Sequence, residues 1–194
     1  MCNARMKLTK YAMAVLLTTL AVNAQAGGSF SVLYGNKSLD KNDWDTLNSQ
    51  SEFGFGVAFQ QTDWPLAFVV SYLASDDSYT DNTFSIPVKV KGETTEVGFG
   101  VRKNVTEDRA KFFIEGGLAS ISAKLSATNT VTSASASESD SAMGYWFGAG
   151  LDVMVSDTVS VGALVRLSNA TVTMFDVDGE AGGTHFNVFA AYHF

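Results

Sequence analysis

Eight side chains spread along the sequence carry most of the chemistry it offers: Glu52, Glu96, Arg102, Glu115, Asp152 and Arg166, with His185 and His193. Gathered in one place, carboxylates, guanidinium groups and imidazoles form ion pairs or pass protons between them. A second acidic element, Asp-Val-Asp-Gly-Glu at 176–180, has the look of a calcium loop. Against the helix-flanked calcium loop it carries Ala181 where a glycine makes the turn and Asn187 where the last acid should stand. It reads as solvated surface with at most weak contact to a divalent ion. No stretch calls for a cofactor, and no set of residues reads as a metal centre.

The elements that must position these residues follow a period of two. Phe53, Phe55, Val57 and Phe59 alternate with Glu52, Gly54, Gly56 and Ala58, and Thr95, Val97, Phe99 and Val101 alternate with Glu96, Gly98, Gly100 and Arg102. The same alternation runs through Tyr145 to Val153 and Val159 to Leu167. A helix would bring Glu and Gly onto the apolar stripe, so these are strands. Eight are expected, at about 29–37, 50–60, 65–75, 93–104, 110–124, 143–155, 158–171 and 183–194. Their connections alternate. Those at 61–64, 105–109 and 156–157 are short, and those at 38–49, 76–92, 125–142 and 172–182 are long and polar.

That order of connections, with strands of roughly 10 residues, is the pattern of an all-β, eight-stranded antiparallel up-and-down transmembrane β-barrel. An interior so narrow is filled by its own side chains, so the face of small and polar residues points inward and the bulky apolar face meets lipid. By phase Glu52, Glu96, Arg102, Glu115, Asp152 and Arg166 then form a luminal charge network, with the two histidines of the last strand beside it. Buried charges must be paired or hydrated, so the expected result is a plug rather than a wide pore, with a narrow pore that conducts protons or ions along the same residues as the alternative. Leu33, Val69, Leu73, Leu164 and Phe189 share that phase and narrow the lumen further.

Composition bounds the rest. Arg5, Lys7 and Lys10 precede an apolar run over 11–22 and the small residues Ala24 and Ala26, the signature of a cleaved secretory signal over 1–26, with the barrel over 27–194. Translation from Met6 would give a more ordinary signal of the same kind. Removing it takes three of the 13 basic residues and none of the 20 acids, which moves the formal charge from −7 to −10. Cys2, the only cysteine, goes too, so neither disulfides nor thiol chemistry are expected. An acidic chain of this kind is not built for nucleic acid.

The chain ends on Phe194, with Tyr192 two residues earlier and Ala190, Val188 and Phe186 continuing the alternation. This ending resembles the C-terminal signal of bacterial outer-membrane barrels, which implies that Phe186, Val188, Ala190, Tyr192 and Phe194 are read by the barrel-assembly machinery. The FSVLYG opening, the SNATV stretch, the following glycine pair and the YHF end are similar to those of the small barrels related to the OmpA and OmpX transmembrane domains. The resemblance implies a monomer in the outer membrane of a Gram-negative cell, in contact with lipid and lipopolysaccharide. It also implies a structural and surface-interaction role through the long loops, which offer a place for an extracellular ligand, and no catalysis. Trp44, in the Asp-rich first loop, is a candidate partner contact; the Ser/Thr/Ala-rich third loop is expected to be mobile, and the second hairpin to extend as a ribbon through Ile86, Val88 and Val90.

A different activity deserves weighing because the stretch 166–170 looks like part of the motif of the lipid A deacylase PagL. That resemblance implies a histidine base two residues before Ser168. Arg166 stands there, and a guanidinium cannot accept the serine proton. His185 is a replacement only if the fold brings it to Ser168 from the neighbouring strand.

Overall fold

The computed structural model of the protein describes residues 26–81, 87–105 and 109–194. All but Ala26 of the segment read as a secretory signal, and Ile86 of the second hairpin, lie outside these residues.

Eight strands close into one antiparallel barrel: β1 (Ala26–Ser38), β2 (Ser49–Gln61), β3 (Ala67–Asp81), β4 (Val88–Asn104), β5 (Ala110–Asn129), β6 (Ser135–Met154), β7 (Val159–Asn169) and, last in the chain, β10 (Gly183–His193). Each pairs with its neighbour in sequence, and β1 pairs with β10 to close the cylinder, Val32 opposite Ala190 and Phe30 opposite Tyr192. Closure leaves no strand edge without a partner, which a lipid environment requires. Between β1 and β2 lies one turn of helix, α1 (Lys41–Trp44), with Asp40 as its N-cap accepting from the Asn42 N–H. Between β7 and β10 a small hairpin forms from β8 (Thr171–Met174) and β9 (Val177–Glu180), turning through Phe175 and Asp176, which both adopt positive φ.

Burial follows the alternation. Glu52 is buried while Phe53 is exposed; Arg166 and Ser168 are buried while Val165 and Leu167 are exposed. The outer surface carries Phe30, Phe53, Phe68, Phe99, Phe112, Ile114, Leu118, Phe147, Val161 and Phe186, a belt that only an apolar medium would favour. Phe55 stacks on Phe30 with ring centroids 5.9 Å apart and meets Phe53 edge-on at 4.9 Å. Small residues make room inside. A Cβ on Gly98 would stand 2.6 Å from the Arg166 guanidinium and 3.1 Å from the Trp146 indole nitrogen, so glycine there lets both large groups share one level of the lumen.

Three expectations are corrected. The segment expected as a mobile third loop is ladder: β5 runs to Asn129 and β6 starts at Ser135, Leu125 opposite Glu138 and Ala127 opposite Ala136. The second hairpin does extend as the expected ribbon, β3 and β4 staying paired with Tyr79 opposite Val90 and Asp81 opposite Val88. β3 (15 residues), β4 (17) and the 20-residue β5 and β6 run well beyond the roughly 10 residues that cross a bilayer, so the four form a sheet standing above it. The fourth long connection holds the β8–β9 hairpin, and the seventh strand stops at Asn169 rather than 171. Trp44, finally, is not a free contact; it is buried in the barrel mouth.

Candidate functional site

The inward faces of β1, β2, β3, β4, β7 and β10 converge on one buried polar cluster in the half of the lumen nearer the long connections. Glu52 accepts hydrogen bonds from two side chains of β10, His185 Nδ1 at 2.7 Å and Asn187 Nδ2 at 2.7 Å. Because a carboxylate can only accept, Nδ1 carries the proton. In the neutral imidazole Nε2 is then the acceptor. Nε2 lies 2.9 Å from Ser168 Oγ on β7 and 3.5 Å from Glu96 Oε2 on β4. Glu96 in turn takes an ion pair from Arg166, whose Nη1 also donates to Ser71 Oγ at 2.8 Å and whose guanidinium carbon lies 3.9 Å over the Trp146 ring. Lys37 donates to Thr94 Oγ1 at 3.1 Å and to the Ala181 carbonyl at 2.8 Å. Two cations, Lys37 and Arg166, thus balance two carboxylates, Glu52 and Glu96, in a space where an uncompensated charge would cost several kcal/mol.

A lid covers this cluster. Leu39, Trp44 and Leu47 from the first connection pack with Ala170, Val172 and Ala181 from the last, above Ile121 and Trp146. Polar bonds fasten the two connections to one another. The Trp44 indole N–H donates to the Glu180 carbonyl at 2.7 Å, and the Glu180 N–H donates to Asp43 at 2.8 Å. The Glu180 carboxylate accepts from the Ala170 N–H at 2.6 Å, the Gly182 N–H at 3.0 Å and Asn169 Nδ2 at 2.7 Å, while Asp140 on β6 accepts from the Thr173 N–H at 2.9 Å. Two acids of the 176–180 stretch, Asp178 and Glu180, therefore hold loop structure: Asp178 accepts a hydrogen bond from the Thr173 hydroxyl at 2.7 Å, and no group of three potential ligands among the described residues is arranged to hold a metal.

The other half of the lumen, toward the short turns, is organised differently. Arg102 Nε and Nη2 clamp one oxygen of Glu115 at 2.8 and 2.7 Å, and the guanidinium carbon lies 4.0 Å over the Phe113 ring. His193 Nε2 is 2.8 Å from Ser160 Oγ and 3.7 Å from Asp152. Between the two halves Leu33, Leu73, Phe113, Leu164, Phe189 and Ala191 form an apolar partition.

The six charged residues expected inside all point there, but into two clusters: Glu52, Glu96 and Arg166 in the upper one, Arg102, Glu115 and Asp152 in the lower. Ser168 and His185 are brought together, and Glu52 completes the order of nucleophile, base and orienting carboxylate that acyl-transfer enzymes use. Arg166 is committed to Glu96 and Ser71. Phe186, Val188, Ala190, Tyr192 and Phe194 all face outward. Lys37, Gln50, Thr94, Ser75 and Asn187 also belong to the upper cluster, and the same period of two reaches each of them, from Leu33, Glu52, Glu96, Leu73 and His185 respectively.

A family model described as the outer membrane protein beta-barrel domain matches residues 12–194. Solved structures share the fold at low identity. Ail, the attachment invasion locus protein of Yersinia pestis, in complex with the heparin analogue sucrose octasulfate, superposes with a TM-score of 0.55 at 14% identity, over 87% of this chain and 97% of that one. A major outer membrane protein from Thermus thermophilus gives a TM-score of 0.61 at 10% identity, over 89% of this chain and 100% of the other. Neisserial surface protein A gives 0.54 at 10% identity, over 88% and 98%. No curated protein sequence matches the chain.

Proposed function

The chain belongs to the outer-membrane β-barrel domain family and resides in the bacterial outer membrane, and from that premise we propose that it works by binding rather than catalysis, through the sheet and loops it holds above the bilayer. The observation that carries this reading is the length of β5 and β6. At 20 residues each they are about twice what crossing requires, so much of their ladder stands in water as a rigid platform. A filled lumen and a fastened lid favour a plug over a conducting pore, and favour the view that binding takes place on the outside.

The platform is acidic. Asp76, Glu93, Glu138 and Asp140 lie on it, with Lys91 and Lys124 partly neutralised by Glu93. The structure of Ail contains a highly sulfated ligand; for this chain the balance of charge favours a basic partner, or lipopolysaccharide phosphates bridged by divalent cations. The barrel-assembly machinery is the partner proposed for the outward-facing end of β10 and Phe194, and the mature protein is proposed to be a monomer.

The test uses the folded barrel in lipid nanodiscs. Polylysine is expected to bind in a salt-sensitive way and heparin at least tenfold more weakly. Removing residues 123–140 and joining the strands with a short turn should leave a folded barrel that has lost polylysine binding. Retained binding by that variant would defeat the proposal.

A second reading rests on the Ser168–His185–Glu52 geometry, which suits a serine nucleophile for ester cleavage. Against it stand the burial of all three residues and the lid above them. Mass spectra of lipid A from membranes with and without the protein separate the readings: loss of one acyl chain supports catalysis, and an unchanged spectrum supports binding.

A further inference from the structure

The upper cluster pairs its charges by direct contact, although Glu96 Oε2 and Arg166 Nε are left without a hydrogen-bond partner among the described residues, whereas the lower one opens onto a cavity. At the short-turn end, which in barrels of this kind faces the periplasm, an open cavity of about 380 Å³ is lined by Arg102, Lys111, Phe113, Asp152, His193 and Phe59, among others. This is room for about a dozen waters, or for one small organic molecule, and lies within the range of ligand sites.

Asp152 is 6% exposed, yet its Oδ1 has no hydrogen-bond partner among the described residues. The other oxygen is only 3.7 Å from His193 Nε2, a nitrogen already engaged with Ser160. A buried carboxylate oxygen left without a donor is costly; Glu96 Oε2 in the upper cluster shares that state, but of the two carboxylates it is Asp152 that lines a cavity which a ligand can enter. Directly across the ladder stands Lys111, the register partner of Asp152. Both line the cavity, but among the ion pairs of the described residues there is none between them. Arg102 adds a second positive group on the same wall, with two of its three guanidinium nitrogens held by Glu115.

A simple cation would satisfy Asp152 but meet Lys111 and Arg102; a simple anion would meet those two favourably but face Asp152. One molecule with both charges a short distance apart suits both. We propose that this cavity binds the zwitterionic end of an amino acid, its ammonium on Asp152 and its carboxylate on Lys111 and Arg102, with the side chain or continuing backbone toward the periplasm. Phe113 supplies apolar wall beside the charged groups, the usual make-up of a site that fixes the orientation of a small ligand. Free amino acids and the ends of short peptides share this chemistry.

The refolded full barrel in lipid nanodiscs, labelled with ¹⁵N, is titrated with L-alanine, glycylglycine, N-acetyl-L-alanine and L-alaninamide while the amides of Gly28 and Lys111 are followed. The two zwitterions are expected to give saturable shifts, and the singly charged analogues to bind at least tenfold more weakly. Asp152→Asn should abolish the preference for L-alanine over N-acetyl-L-alanine, and Lys111→Met the preference for L-alanine over L-alaninamide. The heat-dependent gel shift of folded barrels checks that both variants fold. Tighter binding of glycylglycine would identify a peptide end as the ligand, and equal or weaker binding a free amino acid. No saturable shift with either zwitterion, equal binding of all four probes, or preferences unchanged in both variants would overturn the proposal.

Discussion

The Glu52 carboxylate and the His185 imidazole, 133 residues apart in the chain, meet at 2.7 Å inside the barrel, both completely buried. The contact spans β1, the seam strand that pairs with both β2 and β10, so it ties the first third of the chain to its last strand. Glu52 also takes the Asn187 amide and lies near Lys37, so its removal would strand several donors at once. Glu52→Ala should cost about 3–5 kcal/mol of barrel stability, the usual penalty for deleting one partner of a buried charged pair. Urea midpoints of the refolded protein in lipid vesicles measure it.

Arg166 and Glu96 offer a cleaner separation of charge from packing. Arg166→Met alone leaves Glu96 buried without its cation and should lose a similar amount, about 3–5 kcal/mol. Arg166→Met with Glu96→Leu should recover most of that loss, because an apolar pair of similar volume carries no desolvation cost. Additive losses in the double variant would mean that packing against Trp146, rather than charge, dominates.

The outward phase is tested by charges placed in the belt. Phe55→Arg or Val161→Arg, near mid-membrane, should each cost about 2–4 kcal/mol in lipid. A barrel that tolerates both without loss would have its faces assigned the wrong way round.

Trp44 fastens the lid from the first connection. Trp44→Ala removes a buried indole and its bond to the Glu180 carbonyl, at a cost of about 3–5 kcal/mol by analogy with other large core deletions. Hydrogen exchange at residues 171–180 should accelerate while the amides of β5 between 112 and 120 stay protected. Trp44→Phe, which keeps most of the packing, should accelerate exchange less.

Two groups on the external sheet give pH dependences of opposite sign. The Thr173 N–H, then the Ser141 N–H, hold the Asp140 carboxyl below its ordinary 3.8. Its tether on β8 is therefore fully present above 3.8 and is lost as pH falls through the lower folded value, so Thr173 amide exchange, corrected for its intrinsic rate, should quicken only in strong acid. Asp140→Asn should remove that step. Lys91, hydrogen-bonded to Glu93 and then Asp76, is raised above 10.5. Its contribution is present below 10.5 and is lost as pH climbs through the higher folded value, a step that Lys91→Met should abolish.

Where one face of a strand meets lipid and the other the lumen, the difference between the two environments is written as alternation. For that reason the sequence alone determined the eight strands, their faces, the inward direction of Glu52, Glu96 and Arg166, and an ending suited to an outer-membrane barrel. Above the bilayer both faces of a strand meet water or a polar lid, and alternation disappears. The Ser/Thr/Ala-rich stretch between Leu125 and Ala142 thus looks like loop, and only the ladder continuing upward from register partners such as Leu118 and Tyr145 makes it strand. Trp44 likewise has no neighbour in sequence to announce its burial. Tertiary structure alone decided that it folds into the mouth, that Ser168, His185 and Glu52 line up, and that the luminal charges divide into a closely packed upper cluster and a lower one whose Asp152 carboxylate lines a cavity. Period two tells which way a side chain points; how far it reaches across the barrel, and what it meets there, depends on the closure of β1 onto β10.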